Sequence, residues 1–244
     1  MAILCYPGSN PGGGVFIFMK LGALFSGGKD STLAIFKAMK EHEVVCLISL
    51  KSENPESYMF HVPAFEFINQ QAEALGIPLI LVQTKGEKEK ELEDLKKAVL
   101  EAKSKYKIEG IITGAVASAY QASRIDKICK ELNLKTVNPL WQMDQVKLLN
   151  ELLENKFEVI ITGIAAYPLD EKWLGRKLDS KAIKELEDLQ NKYKINPAGE
   201  GGELETMVLD SPIHKKKIKI IESKKEYAKH NGTLRILRLE LVKK

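Results

Sequence analysis

The sequence predicts an α/β protein built on a parallel sheet with helices on both faces, followed by a smaller C-terminal α+β domain. Three observations predict it. Apolar runs alternate with helix-patterned stretches through the first two thirds of the chain. Those runs are nearly continuous rather than alternating, as strands buried on both faces read. And the first run stops at "FSGGKDS", a glycine-rich loop at a strand's carboxyl end, where ligands of such sheets sit.

The strands are expected, in order, at Leu21–Phe25, Val44–Leu50, Pro78–Gln83, Gly110–Gly114, Thr136–Pro139 and Val159–Ile164. The helices between them are expected at Thr32–Lys40, Ala64–Leu75, Glu87–Lys105, Ala119–Leu132 and Asp144–Asn155. In the third, Leu92, Leu95, Val99 and Ala102 recur at spacings of three and four, an apolar stripe with lysine and glutamate outside. After about residue 165 the character changes. A loop, "YPLDEKWLGRKLDS", precedes a helix at Lys181–Tyr193. Then come "NPAGEGGELETMVLD" and two strands that turn near "HNGT", because Asn-Gly favours a tight hairpin. The expected division is a nucleotide-binding domain over 19–140 and a mostly antiparallel substrate-binding domain over 141–244. Residues 1–18 carry no charge and are broken by "PGSNPGGG". We expect a native start at Met19, with 1–18 a non-native or poorly ordered extension.

The 244 residues suffice for such a core, and no apolar stretch approaches the roughly 20 residues that cross a bilayer. With 37 basic and 33 acidic residues the net charge of +4 does not call for a nucleic-acid partner, and none is expected. The three cysteines, Cys5, Cys46 and Cys129, form no CxxC pair. That argues against a zinc or redox site and for a reducing cytoplasm. Cys46 and Cys129 read as small buried hydrophobes.

Gly27 and Gly28 can take positive φ and leave no Cβ in the way. Backbone N–H groups, the dipole of a helix starting near Ser31, the Lys29 charge and the hydroxyls of Ser26 and Ser31 then form an anion cradle sized for phosphates. Asp30 would repel a bare phosphate, so it suits Mg²⁺ or a helix-start amide. An ordinary glycine turn would explain the two glycines but not the Ser, Lys, Asp and Ser around them. The loop is neither a Walker A string nor GxGxxG.

"SGGKDS" resembles the PP-loop of the ATP pyrophosphatase superfamily, whose members split ATP into AMP and pyrophosphate. "SENPESYMFH", "GAVASAYQASRIDKICKELNL", "LDEKWLGR" and above all "NPAGEGGELETMVLD" are similar to the diphthine–ammonia ligase family across nearly all of residues 19–220. The departures are mild: Leu204 stands where that family often has an aromatic, and "GAV" varies a small-residue motif. The resemblance implies an adenine nucleotide α-hydrolase-like fold and a carbon–nitrogen ligase. Its reaction would join ammonium to diphthine on translation elongation factor 2 through an acyl-adenylate, with ATP and Mg²⁺. It implies ATP contacts from Ser26, Gly27, Gly28, Lys29, Asp30, Ser31, His61 and Gly114, with Asp30 on the metal. It implies substrate contacts from Arg124, Trp173, Arg176, Glu200, Gly201, Gly202 and Glu203. Lys29 would act on pyrophosphate, and Glu203 or Glu205 would bind and deprotonate ammonium. Trp173 or Trp141 would face the trimethylammonium of diphthine.

Each has a bland counterpart. His61 suits a core histidine, Arg124 a solvated helix face, Trp173 the core, "HKKKIKI" an exposed strand. Glu200, Glu203 and Glu205 within six residues are harder to dismiss, since like charges so close need cations or donors. Two other readings stand beside the ligase: a PP-loop enzyme that modifies tRNA, and a sensor of ATP or AMP without chemistry. Missing catalytic cysteines count against sulfur transfer to tRNA; the glutamates and Lys29 count against a sensor. The oligomeric state is open, a homodimer included.

Overall fold

A computed structural model describes residues 18–52, 65–85 and 90–244. The expectations for residues 1–17 and for "SENPESYMFH" beyond Ser52, His61 included, fall outside them.

The first sheet is formed by β1 (Lys20–Leu24), β2 (Glu43–Ser52), β3 (Leu79–Thr84), β4 (Gly110–Ile112) and β5 (Lys135–Val137), in the order β3-β2-β1-β4-β5. Every pairing is parallel. Between them run α1 (Lys29–Ala38), α2 (Ile68–Leu75), α3 (Lys90–Tyr106) and α4 (Ala119–Glu131). One face of the sheet presents Cys46, Ile48, Leu50, Ile80 and Ile111 to the α3 stripe of Leu95, Ala98, Val99 and Ala102, and to Ile125, Ile128 and Cys129 of α4. The other parity of β2, Leu47 and Ser49, is equally buried. Successive side chains point to opposite faces, so both faces are covered. Burial pushes the Cys46 thiol up to about 12 and the Cys129 thiol to about 11. Both are free, inert core residues, as the sequence suggested.

This strand order reverses direction between β1 and β4, which makes the carboxyl end of β1 a topological switch point. The glycine loop leaves the sheet there.

The second sheet has the order β7-β6-β9-β8 and is antiparallel throughout. Its strands are β6 (Glu158–Ala165), β7 (Leu204–Asp210), β8 (Lys216–Ala228) and β9 (Asn231–Lys243), accompanied by α5 (Gln145–Glu154) and α6 (Ser180–Tyr193). Here the sequence reading needs two corrections. The sixth apolar run, β6, does not extend the parallel series. It pairs antiparallel with β7 and β9, because its partners come from later in the chain and no local pattern announces them. The hairpin turns on Lys229 and His230, with φ of 47° and 64°, one step before Asn-Gly. Two positive φ values are what a two-residue turn needs to follow the strand twist. Gly232 serves another purpose: a Cβ there would lie 2.8 Å from the Glu226 carbonyl.

The compact units are not contiguous in sequence. Among the described residues, one comprises 26–32, 65–76 and 142–244, and the other comprises the rest. The chain therefore leaves the parallel-sheet unit at Ser26, contributes its glycine loop to the second unit, and returns at Leu33. Among the described residues, no helix is long and apolar enough to cross a membrane.

Candidate functional site

The helix after β1 begins at Lys29, earlier than the spacing of its apolar residues suggests, because the loop itself is the first turn. The Gly28 carbonyl accepts from the Thr32 N–H at 3.2 Å and from the hydroxyls of Thr32 at 2.8 Å and Ser31 at 3.2 Å. Gly27 has φ +74°, a conformation that penalises any Cβ. Hydroxyls hold the remaining polar groups. Ser31 Oγ accepts from the Ser26 N–H at 3.3 Å and lies 3.1 Å from Ser26 Oγ. Ser26 Oγ accepts from the Gly28 N–H at 3.3 Å.

Within the second unit the loop is clamped onto β7. Thr206 Oγ1 accepts from the Lys29 N–H at 3.1 Å, and the Gly27 carbonyl accepts from the Val208 N–H at 3.1 Å. The Ser26, Gly28 and Lys29 N–H groups thus donate to short side-chain hydroxyls. Such oxygens mark where an anion's oxygens can replace them. Lys29 is 3% exposed, and its ammonium donates to Asp30 Oδ2 at 2.8 Å. The other oxygen, Asp30 Oδ1, is buried without a hydrogen-bond partner. A lone carboxylate oxygen beside the glycine loop is the kind of ligand a hard cation such as Mg²⁺ takes alongside waters. Among the described residues, no group of three His, Cys, Asp or Glu side chains gathers as a metal site.

The second motif is a loop that its own residues shape. Glu203 Oε1 accepts from the Asn196 N–H at 3.0 Å and from Asn196 Nδ2 at 2.6 Å, while Oε2 accepts from the Gly201 N–H at 2.8 Å. Gly199 and Gly202 have φ of +80° and +88°. Gly201 is glycine because a Cβ would sit 2.8 Å from Glu203 Oε1. Gln145, at the start of α5, spans the loop from outside. Its Nε2 donates to Asn196 Oδ1 and its Oε1 accepts from the Ala198 N–H, both at 3.0 Å. Glu205 lies on β7 opposite Gly163, where a Cβ would meet its carboxylate at 2.4 Å.

Thr206 and Glu205 are adjacent on β7, so this strand carries both the clamp on the phosphate loop and one of the acidic residues. Trp173 and Arg176 come together differently. Trp173 is buried, the Arg176 guanidinium stacks on its ring at 4.4 Å from the centroid, and Arg176 makes a forked pair with Glu185 at 2.6 and 2.9 Å. Arg124 lies 3.3 Å over the Tyr120 ring on α4. Gly114 follows β4, whose end is tied to β5 by the Thr113–Asn138 side-chain bond at 2.5 Å. Sequence reasoning missed Gln71, Gln145, Asn196 and Thr206. The one available signal was a polar residue on an apolar face: Gln71 falls in register with Ile68, Ala72 and Leu75 on α2.

The fold and loop define a class: a PP-loop α/β protein whose glycine loop follows the first strand of its parallel sheet. A family model described as the diphthamide synthase N-terminal domain matches residues 19–136, and one described as the diphthamide synthase C-terminal domain matches residues 144–242. Diphthine–ammonia ligase of Bos taurus is 38% identical over 226 residues, spanning 84% of each chain. That of Homo sapiens is 37% identical over 226 residues, again 84% of each, and that of Mus musculus 36% over 256 residues, 93% of this chain and 94% of that one. A solved structure described as a predicted subunit of tRNA methyltransferase from Methanocaldococcus jannaschii is 18% identical. It aligns with a TM-score of 0.41 over 80% of this chain and 98% of its own, too distant to speak to ligands. The chain belongs to the diphthamide synthase family.

Proposed function

We propose that the chain is an ATP-dependent ligase that amidates diphthine on translation elongation factor 2. Ammonium is the nitrogen source, and diphthamide, AMP and pyrophosphate are the products. The observation that carries this reading is the β1–loop–α1 cradle, with Lys29 in the helix's first turn, in a chain of this family. A carboxylate is a poor electrophile because its leaving group would be oxide. Attack of its oxygen on the α-phosphorus forms the acyl–adenylate bond as the bond to pyrophosphate breaks. Negative charge grows on the departing pyrophosphate, where the loop amides and Lys29 stabilise it. Lys29 must exchange Asp30 for the phosphates to do so, which leaves Asp30 to hold Mg²⁺. That ion would neutralise phosphate charge.

Ammonia then attacks the acyl carbon and AMP leaves. Ammonium must first lose a proton. Either glutamate of the "ELE" string, Glu203 or Glu205, would bind ammonium and take that proton. Trp173 is buried and covered by Arg176, so it offers no open ring face to trimethylammonium.

The test is to incubate the protein with ATP, Mg²⁺, ammonium and diphthine-bearing elongation factor 2, following AMP and the factor's mass. AMP with an acid-to-amide mass change, both lost in Lys29→Ala, establishes the reaction. AMP with an unchanged factor moves the acceptor elsewhere, with tRNA tested next. ATP binding without AMP leaves a sensor.

A further inference from the structure

The geometry points to Gln71 as a ligand of the phosphate oxygens that the glycine loop holds, a role that rests on the nucleotide reading above. Gln71 is 2% exposed on the apolar face of α2, in the same compact unit as the loop. Neither Nε2 nor Oε1 has a hydrogen-bond partner, and both are buried. The amide lies beside Gly27. A Cβ on Gly27 would fall 1.8 Å from Oε1 and 2.8 Å from Nε2. Among the loop carbonyls, Gly27 accepts from the Val208 N–H and Gly28 from Thr32 and Ser31.

A carboxamide is a poor filler for such a position. Leucine or methionine would occupy it with no unmade hydrogen bonds, and buried polar groups in folded proteins are rarely left so. What an amide offers that they do not is a neutral N–H donor. Phosphate oxygens seated in the loop provide the acceptor. The placement also gives glycine at position 27 a second purpose. Besides permitting φ +74°, it leaves the amide an open path across the Cα. Lys29 supplies charge and Gln71 direction, and the ligand class is the polyphosphate end of a nucleoside triphosphate.

The experiment measures binding of Mg²⁺-ATP and of inorganic pyrophosphate to the full chain by calorimetry, for wild type and Gln71→Met, alongside thermal denaturation. Methionine matches glutamine in length and lacks the amide. The expected result is a variant that melts no lower than wild type yet binds both ligands about tenfold or more weakly, the loss of one bond to a charged group. Unchanged affinity in the variant overturns the role of Gln71 and leaves the nucleotide reading standing. Failure of wild type to bind either ligand overturns both. If the variant does not fold, the side-chain amide ¹⁵N–H signal of Gln71 in wild type decides. A shift on adding pyrophosphate supports the bond, and an unmoved signal overturns it.

Discussion

At the scale of single residues, the Lys29–Asp30 pair is where the proposed chemistry can be tested. Lys29 is held by its neighbour Asp30, which orients its ammonium. Lys29→Ala removes the main counter-charge of the leaving group. AMP formation is expected to fall by about 10²–10³-fold, as for loss of one transition-state donor, measured by single-turnover assay. His214 is a residue-scale marker of another kind. It is buried with Nδ1 2.6 Å from Ser211 Oγ, and desolvation, outweighing nearby Asp210, lowers its pKa to about 4. Lys244 adds a smaller push in the same direction. The folded state thus binds a proton less readily than the unfolded chain. Stability contributed by neutral His214 is complete above about pH 6.5 and is lost as pH falls toward 4. The loss is up to about 1.4 kcal/mol per pH unit across that window. Urea unfolding at pH 7 and pH 5 checks it, and His214→Phe should flatten the difference.

At the scale of elements, the "GEGGELET" string is a loop with its own internal scaffold. Glu203 satisfies N–H groups on both sides of the bend, and Gln145 braces it from α5. Gln145→Leu removes two hydrogen bonds at a cost of roughly 1–3 kcal/mol in all. Faster hydrogen exchange over 196–203 is expected, with β7 unaffected. The phosphate loop is similarly built. Gly27→Ala places a Cβ on the Gln71 amide at a positive φ and should cost about 1–2 kcal/mol from the backbone alone. Equilibrium denaturation measures it. These two elements mark the boundary of what sequence can say. The loop after β1 was legible because its chemistry is local: strand, two glycines, lysine, helix. Thr206 and Gln145 were not, because their bonds reach 177 residues back to Lys29 and 51 forward to Asn196. A threonine in an apolar strand reads as strand propensity alone. β6 was misplaced for the same reason, since its apolar run is the same whether its neighbours are parallel or antiparallel. Glu203 and Glu205 were singled out as needing cations or donors; the three donors to Glu203 come from a bend that no spacing rule describes.

At the scale of the whole molecule, the loop is the point where the chain passes from one unit to the other and back. A ligand bound there is linked to global unfolding, because the unfolded chain has no cradle. At 100 times its Kd, ATP should add about 2.7 kcal/mol. For a chain of this size that is a rise in Tm of roughly 5–11 °C, read by calorimetry with and without Mg²⁺-ATP. Lys29→Ala should abolish most of the shift.

The detour of residues 26–32 into the second unit bears on how this protein can be taken apart. The two family models suggest a cut between residues 136 and 144, as though each side were a separable cassette. A fragment ending there would keep β1 but lose Thr206 and Val208, the groups that shape its loop. Its complement would keep β7 with nothing to clamp. Grafting either half onto a relative would therefore exchange half of a binding loop's support. Hybrids of this family should regain nucleotide affinity only when the loop, α2 and β7 come from one parent.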